Sequence, residues 1–172
     1  MISKMESKAS RIGIVLNGSP LFSGDAGSGE SEIRKWIIEN DMLECIVALP
    51  DQLFFNTSIS TYIWILTNKK SKERKGKIQL IDGSKLFKKM NKSLGNKRKK
   101  VDDISRNNII ETYSNFDENE YCQIHDIEYF GYTKVTIEQP KIENGEILTN
   151  KLGKPKTDTS KRDYEKIPLT DD

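Results

Sequence analysis

Phe54 and Phe55 put two phenyl rings side by side in a connecting segment, followed at once by Asn56, Thr57 and Ser58. Apolar area of that size is seldom left on a surface loop without a use, so the pair marks a candidate site. Asn56 and Thr57 have the side chains to orient such a loop or to touch a phosphate, and serve equally as plain turn residues. A second candidate is a basic block, Lys85, Lys88, Lys89, Lys92, Lys97, Arg98, Lys99 and Lys100, with no acid among its members. Clustered cations neutralise phosphates and release counterions, which gives salt-dependent affinity for nucleic acid. The plainer reading is a solvated loop. A third stretch, Gly24-Asp25-Ala26-Gly27-Ser28-Gly29, has the glycines of a phosphate cradle without its chemistry. It lacks the Lys-Ser/Thr pair, and Asp25 and Glu30 repel phosphate, so it reads as a connector leading into a helix.

The elements that must position these residues form an α/β pattern. Arg11 to Leu16 reads as a buried strand, stopped by the turn Asn17-Gly18-Ser19-Pro20. A helix follows from Ser28 or Gly29 to Asn40, with Ser28 as cap and Ile33, Trp36 and Ile37 on its apolar side, Trp36 being the expected core anchor. Glu44 to Leu49 is the next strand, so the unit is βαβ with parallel strands and a right-handed crossover. Pro50 to Ser60 holds no helix, and Ser60 to Thr67 is therefore expected to return antiparallel. Period two puts Tyr62 and Trp64 on one packed face of that return strand. Gly76 to Asp82 alternates like an edge strand with one wet face. Asp102 or Asp103 caps a helix running through Tyr113. Cys122 to Ile124 and Tyr132 to Ile137 are short strands, and from Pro140 onward the composition is that of a poorly packed tail.

The ligand crevice of an open α/β sheet lies beyond the carboxyl ends of its parallel strands. Asn17 and the aromatic loop both leave from that edge. Asn17, Asn56 and Thr57 are accordingly the loop-supporting candidates, and of the two rings one is expected in the core and one exposed. The implied organisation is a partial α/β domain over residues 1–84, a basic loop with a helix and small strands over 85–139, and an extended tail or linker over 140–172.

Bulk properties narrow the class. At 172 residues, with 35% apolar and 31% charged residues, the chain supports one small core and much exposed loop. Its net charge of +2 conceals the basic block and a mainly acidic stretch after it. Two isolated cysteines and one histidine make a zinc site improbable, and the expectation is no metal and a reducing, cytoplasmic setting. No apolar run has the length of a membrane span, and no signal peptide opens the sequence, so no membrane partner is expected.

Arg11 to Phe22, Gly24 to Arg34 and Leu49-Pro50-Asp51-Gln52-Leu53-Phe54-Phe55-Asn56-Thr57 resemble the modification subunit of type I restriction-modification systems. So do Gly76 to Ser84, Ser93 to Arg98, Phe130-Gly131-Tyr132 and Arg162 to Leu169. The resemblance covers nearly the whole chain. It implies transfer of a methyl group from S-adenosylmethionine to the exocyclic amine of adenine in DNA, by an enzyme acting with specificity and restriction subunits. It also implies a Rossmann-like sheet of which this chain is the carboxyl-terminal half, with the antiparallel strand between those beginning at Arg11 and Glu44. Phe54 or Phe55 then matches the place of a base-stacking aromatic, which such enzymes use to hold a base swung out of the duplex. Lys97, Arg98, Lys99 and Lys100 become DNA-binding candidates.

Two parts of that family's active site are missing from this sequence. There is no Gly-containing cofactor loop after a first strand, and no Asn/Asp-Pro-Pro-aromatic motif, since no Pro-Pro pair occurs at all. No catalytic residue is therefore assigned. The chain is expected to be inactive alone and to bind no cofactor by itself. The competing expectation is a stand-alone nucleic-acid-binding or assembly module on a partial methyltransferase fold. Half a sheet also exposes the edge of the Arg11 strand, which favours self-association.

Overall fold

The computed structural model describes residues 1–169. The chain divides into two compact units, Met1–Ile127 and Glu128–Asp172. In the first unit, β1 (Arg11–Asn17), β2 (Leu43–Ala48), β3 (Thr61–Thr67), β4 (Lys77–Asp82) and β7 (Cys122–Asp126) form a five-stranded sheet in the order β1-β3-β2-β4-β7. β3 runs antiparallel to both β1 and β2, so these two are parallel to each other with β3 between them, as the resemblance implies. β4 is parallel to β2, and β7 is antiparallel to β4. The result is a mixed α/β sheet.

The helices begin where their sequences place them. α2 (Gly29–Glu39), preceded by the single turn α1 (Ser19–Phe22), starts at Ser28, whose hydroxyl accepts from the Ser31 amide at 3.4 Å. α3 (Asp103–Asn115) starts at Asp102, whose carboxylate accepts from the Ser105 amide at 3.0 Å. That bond holds the Asp102 carboxyl below its ordinary range, helped by the charges of Lys88 and Lys100. α3 packs Ile109 and Tyr113 against the sheet face carrying Cys45, Val47, Ile63, Ile65, Ile81 and Cys122. Burial pushes both cysteine thiols up, and both are free.

Several expectations need correction. Trp36 is not the core anchor of α2: it is 48% exposed and Ile33 62%, while Ile37 alone is buried at 7%. The sheet ends at β1, and among the described residues no further strand pairs with that edge. β4 is not an edge strand, because β7 covers its outer side. The polar residue that suggested a wet face, Gln79, is fully buried with its amide satisfied: it accepts from Arg74 at 2.9 Å and donates to the Thr112 carbonyl at 2.9 Å. A polar side chain at a period-two position imitates a solvent face whenever its partners arrive from another element.

The basic block is not an irregular loop. It forms the hairpin β5 (Lys88–Leu94) and β6 (Lys97–Lys100), joined at Gly95-Asn96. In the second unit, β8 (Tyr132–Ile137) pairs antiparallel with β11 (Asp163–Pro168), and β9 (Ile142–Glu143) with β10 (Glu146–Ile147). The tail thus has paired backbone, yet the side chains of β9, β10 and β11 are all exposed. Lys134 lies over the Tyr164 ring at 4.1 Å and Lys166 over Tyr132 at 4.6 Å, a cross-strand ladder of cations and rings. No helix among the described residues is long and apolar enough to cross a membrane.

Candidate nucleic-acid interface

The carboxyl ends of the three parallel strands meet at one edge. Ala48 and Asp82 are paired across β2 and β4, the Gly83 amide donates to the Ala48 carbonyl at 3.0 Å, and Asn17 faces Thr61 across β1 and β3. The segment from Pro50 to Ser60 leaves from this edge. Its turn is internal, with a bridge between Phe54 and Thr57 and a bond from the Ile59 amide to Thr57 Oγ1 at 3.1 Å. Thr57 therefore supports the loop, as its residue type allows. Asn17 Oδ1 accepts from the Ser19 amide at 3.1 Å and holds the turn at the end of β1 rather than the aromatic loop. Asn56 is exposed, and among the described residues no hydrogen bond engages its side chain.

Both rings are exposed, Phe54 at 41% and Phe55 at 55%, and neither enters the core. The expected division of one ring in and one ring out fails: Leu49 and Ile63 pack against the core at this end of the sheet, and both rings are held from outside it. The holder is the basic hairpin. The Asn96 amide donates to the Phe55 carbonyl at 3.0 Å, and the Arg98 and Lys99 amides donate to the Gln52 carbonyl at 3.0 and 3.3 Å. Gln52 takes a positive φ of 57° to present that carbonyl. The loop from Gln52 to Phe55 is thus tied by backbone bonds to the tip and the second strand of the hairpin.

Side chains repeat the connection. Lys97 Nζ stands 4.9 Å above the centre of the Phe55 ring. Lys99 pairs with Asp51 and lies 4.1 Å from the centre of the Phe87 ring. Positions 97 and 99 share one face of β6, and both are half-buried, whereas Arg98 and Lys100 are exposed. Between loop and hairpin lies an open cleft of about 530 Å³ lined by Gln52, Lys89, Met90, Ser93, Arg98 and Lys99. The two candidate stretches, separate in the sequence, adjoin in space.

A match to a family model described as N-6 DNA methylase extends over residues 1–147 of this chain. The chain belongs to that family. It is 35% identical over 119 residues to the MjaVII type I restriction enzyme methylase subunit of Methanocaldococcus jannaschii, a span of 69% of this chain and 20% of that protein. It is 49% identical over 59 residues to the HindI methylase subunit of Haemophilus influenzae, covering 34% of this chain and 13% of that one. Its structure resembles a type I restriction-modification methyltransferase subunit from Streptococcus thermophilus with a TM-score of 0.58 and 30% identity, over 69% of this chain and 23% of that chain. The N-6 DNA methylase segment seen here thus spans a fifth or less of the length of these methylase relatives.

Sequence reasoning missed Asp51, Gln52, Phe87 and Gly95 as parts of the site. One signal for them was present. Gly95-Asn96 between two lysine-rich runs is a two-residue hairpin signature, and it would have folded the block into a ribbon.

S-adenosylmethionine is the cofactor this family implies. The polar side chains at the sheet edge serve local turns. The Ser84 side chain, with the Ser84 amide donating at 3.0 Å, holds the Asp82 carboxyl below its ordinary range, and Asn17 Oδ1 accepts from the Ser19 amide. Lys89 and Arg98 line the neighbouring cleft and repel a sulfonium.

Proposed function

We propose that this chain is the target-base-handling and DNA-contacting part of a type I adenine-N6 DNA methylase subunit, catalytically incomplete by itself. The observation that carries the reading is the joint between the aromatic loop and the basic hairpin, made by backbone bonds at Gln52 and Phe55. It sets exposed rings beside cations at the carboxyl edge of parallel strands, where base stacking and phosphate contact are both within reach. Phe55 is the ring we assign to stacking. Lys97 backs one face, and the 55% exposure of the residue leaves the other to solvent.

The sheet serves in this reading as the carboxyl-terminal half of a Rossmann-like methyltransferase sheet, and methyl transfer from S-adenosylmethionine requires groups this chain does not carry. DNA recognition falls to a specificity subunit, and a restriction subunit completes the assembly. The open edge of β1, with Val15 at 53% exposure, provides a strand for pairing with a further chain or a second copy.

The test is a paired assay on the 172-residue chain: methyl incorporation into an adenine-containing duplex, and duplex binding at two salt concentrations. The expected result is no incorporation and binding that weakens with salt. Methyl transfer by the chain alone overturns the claim of incompleteness, and salt-insensitive or absent binding overturns the DNA-contacting role.

A further inference from the structure

The eight cations from Lys85 to Lys100 look interchangeable in sequence, and the structure divides them. Lys97 is spent on the Phe55 ring, and Lys99 on Asp51 and the Phe87 ring. Lys85, Lys88 and Lys100 lie outside the lining of the cleft beside the aromatic loop. Of those remaining, Lys89 and Arg98 line the cleft beside the aromatic loop, and Lys92 does not. Among the described residues, no hydrogen bond or ion pair engages the Lys89 ammonium or the Arg98 guanidinium, and both residues are exposed.

Two unneutralised cations share that open cleft with Ser93 and Gln52, which supply polar side chains. Asp51 is the nearest acid on the loop side, and its charge is already matched by Lys99. The cleft is therefore electropositive and supplied with donors, the chemistry that recognises a phosphodiester. It also adjoins the segment that carries Phe55, whose carbonyl is tied to the tip of the same hairpin.

The geometry points to a phosphate subsite in this cleft, in which Arg98 and Lys89 take one backbone phosphate of a DNA strand while the neighbouring Phe55 ring receives a base. Lys97 and Lys99, equal in charge and flanking Arg98 in sequence, hold the loop and contact no phosphate. The inference rests on the DNA-contacting role proposed above and sharpens it to two of the eight cations.

The experiment reads the salt dependence of binding, because removing one phosphate-neutralising cation lowers the slope of log affinity against log salt by about 1. A labelled adenine-containing duplex is titrated with the full chain between about 50 and 200 mM salt, for the native sequence and for Arg98→Gln, Lys89→Gln, Lys97→Gln and Lys99→Gln. Arg98→Gln and Lys89→Gln are expected to lower the slope by about 1 each, and Lys89→Arg to restore it. Lys97→Gln and Lys99→Gln are expected to weaken binding with the slope retained. Equal reductions in slope at all four positions, or a retained slope at Arg98 and Lys89, overturn the subsite while the DNA-binding role stands. Absence of any salt-dependent binding by the native chain overturns the role itself. Thermal unfolding of each variant separates these outcomes from misfolding.

Discussion

Arg74 and Lys97 do the same thing in two regions and to different ends. Arg74 lies 4.3 Å from the centre of the Phe116 ring and 4.6 Å from that of Tyr113, and Lys97 lies 4.9 Å from that of Phe55. Arg74 itself is buried, at 7% exposure, and both rings beside it are half-buried. Its guanidinium donates to Gln79 Oε1 at 2.9 Å and to the Tyr113 carbonyl, and its Nε is 3.8 Å from Glu44, a residue 1% exposed. Glu44 is the extra residue of a bulge between Leu43 and Cys45, and Arg11 closes on its carboxylate with bonds of 2.7 and 3.1 Å. That bond holds the Arg11 pKa above its ordinary value. Around Lys97 the ring and its neighbours face solvent. A planar five-donor cation suits a place where every donor must find a partner, and a compact ammonium suits a place where one ring face must stay open. The first region fastens α3 to the sheet, and the second presents a surface.

The sharpest way to break this contrast is to remove Glu44. A buried cation stripped of its carboxylate costs about 3–5 kcal/mol, and Glu44→Ala is expected to lower the stability of the chain by that order in urea unfolding. Phe55→Ala, in the open region, is expected to cost about 1 kcal/mol, the order of its exposed contact with Lys97. Comparable losses for the two variants would mean that the aromatic loop is part of the structural core.

The two regions also differ in how far they could be read from sequence. The open one was legible in its parts: Phe54-Phe55 in a connector, and eight cations in sixteen positions. Its assembly was not, because the joint is made by backbone groups of Gln52 and Phe55 with Asn96, Arg98 and Lys99, and backbone groups carry no sequence signal. The sheet was legible through β-branched runs and turn residues, down to the antiparallel return of β3, because the connector after β2 has no helical periodicity. The closed region was hidden. Glu44 and Gln79 are polar residues in apolar strands, and only the arrival of Arg11, Arg74 and Thr112 from elsewhere makes their burial tolerable. Trp36 and Ile33 misled for the opposite reason, since an apolar stripe fixes which side of α2 is sticky and not whether a layer exists to receive it.

A smaller intervention tests whether the hairpin truly sets the loop. Gly95 has a φ of 62°, and a Cβ there would meet the Phe55 carbonyl oxygen at 2.7 Å. Gly95→Ala imposes a left-handed alanine and pushes on the bonded carbonyl, a cost of about 1–3 kcal/mol. It is expected to appear locally, as faster hydrogen exchange of the Asn96, Arg98 and Lys99 amides, with exchange in β2 and β3 unchanged. Unchanged protection at Asn96 would show that the loop is held by something other than the hairpin tip.

The smallest expected effect bears most directly on the pairing of cation and ring. Lys97→Met keeps an unbranched stem over Phe55 and deletes the charge, so what is lost is the electrostatic attraction to the ring, about 0.5–1 kcal/mol at an exposed site. A double-mutant cycle with Phe55→Leu isolates that quantity from the packing of the stem. The parallel cycle of Arg74→Met with Phe116→Leu, in the closed region, is expected to give a coupling of about 2 kcal/mol or more, because desolvation strengthens the same attraction. Equal couplings would show that Lys97 and Phe55 are as dry as Arg74 and Phe116. The ring would then have no free face, and Phe54 would be the better stacking candidate.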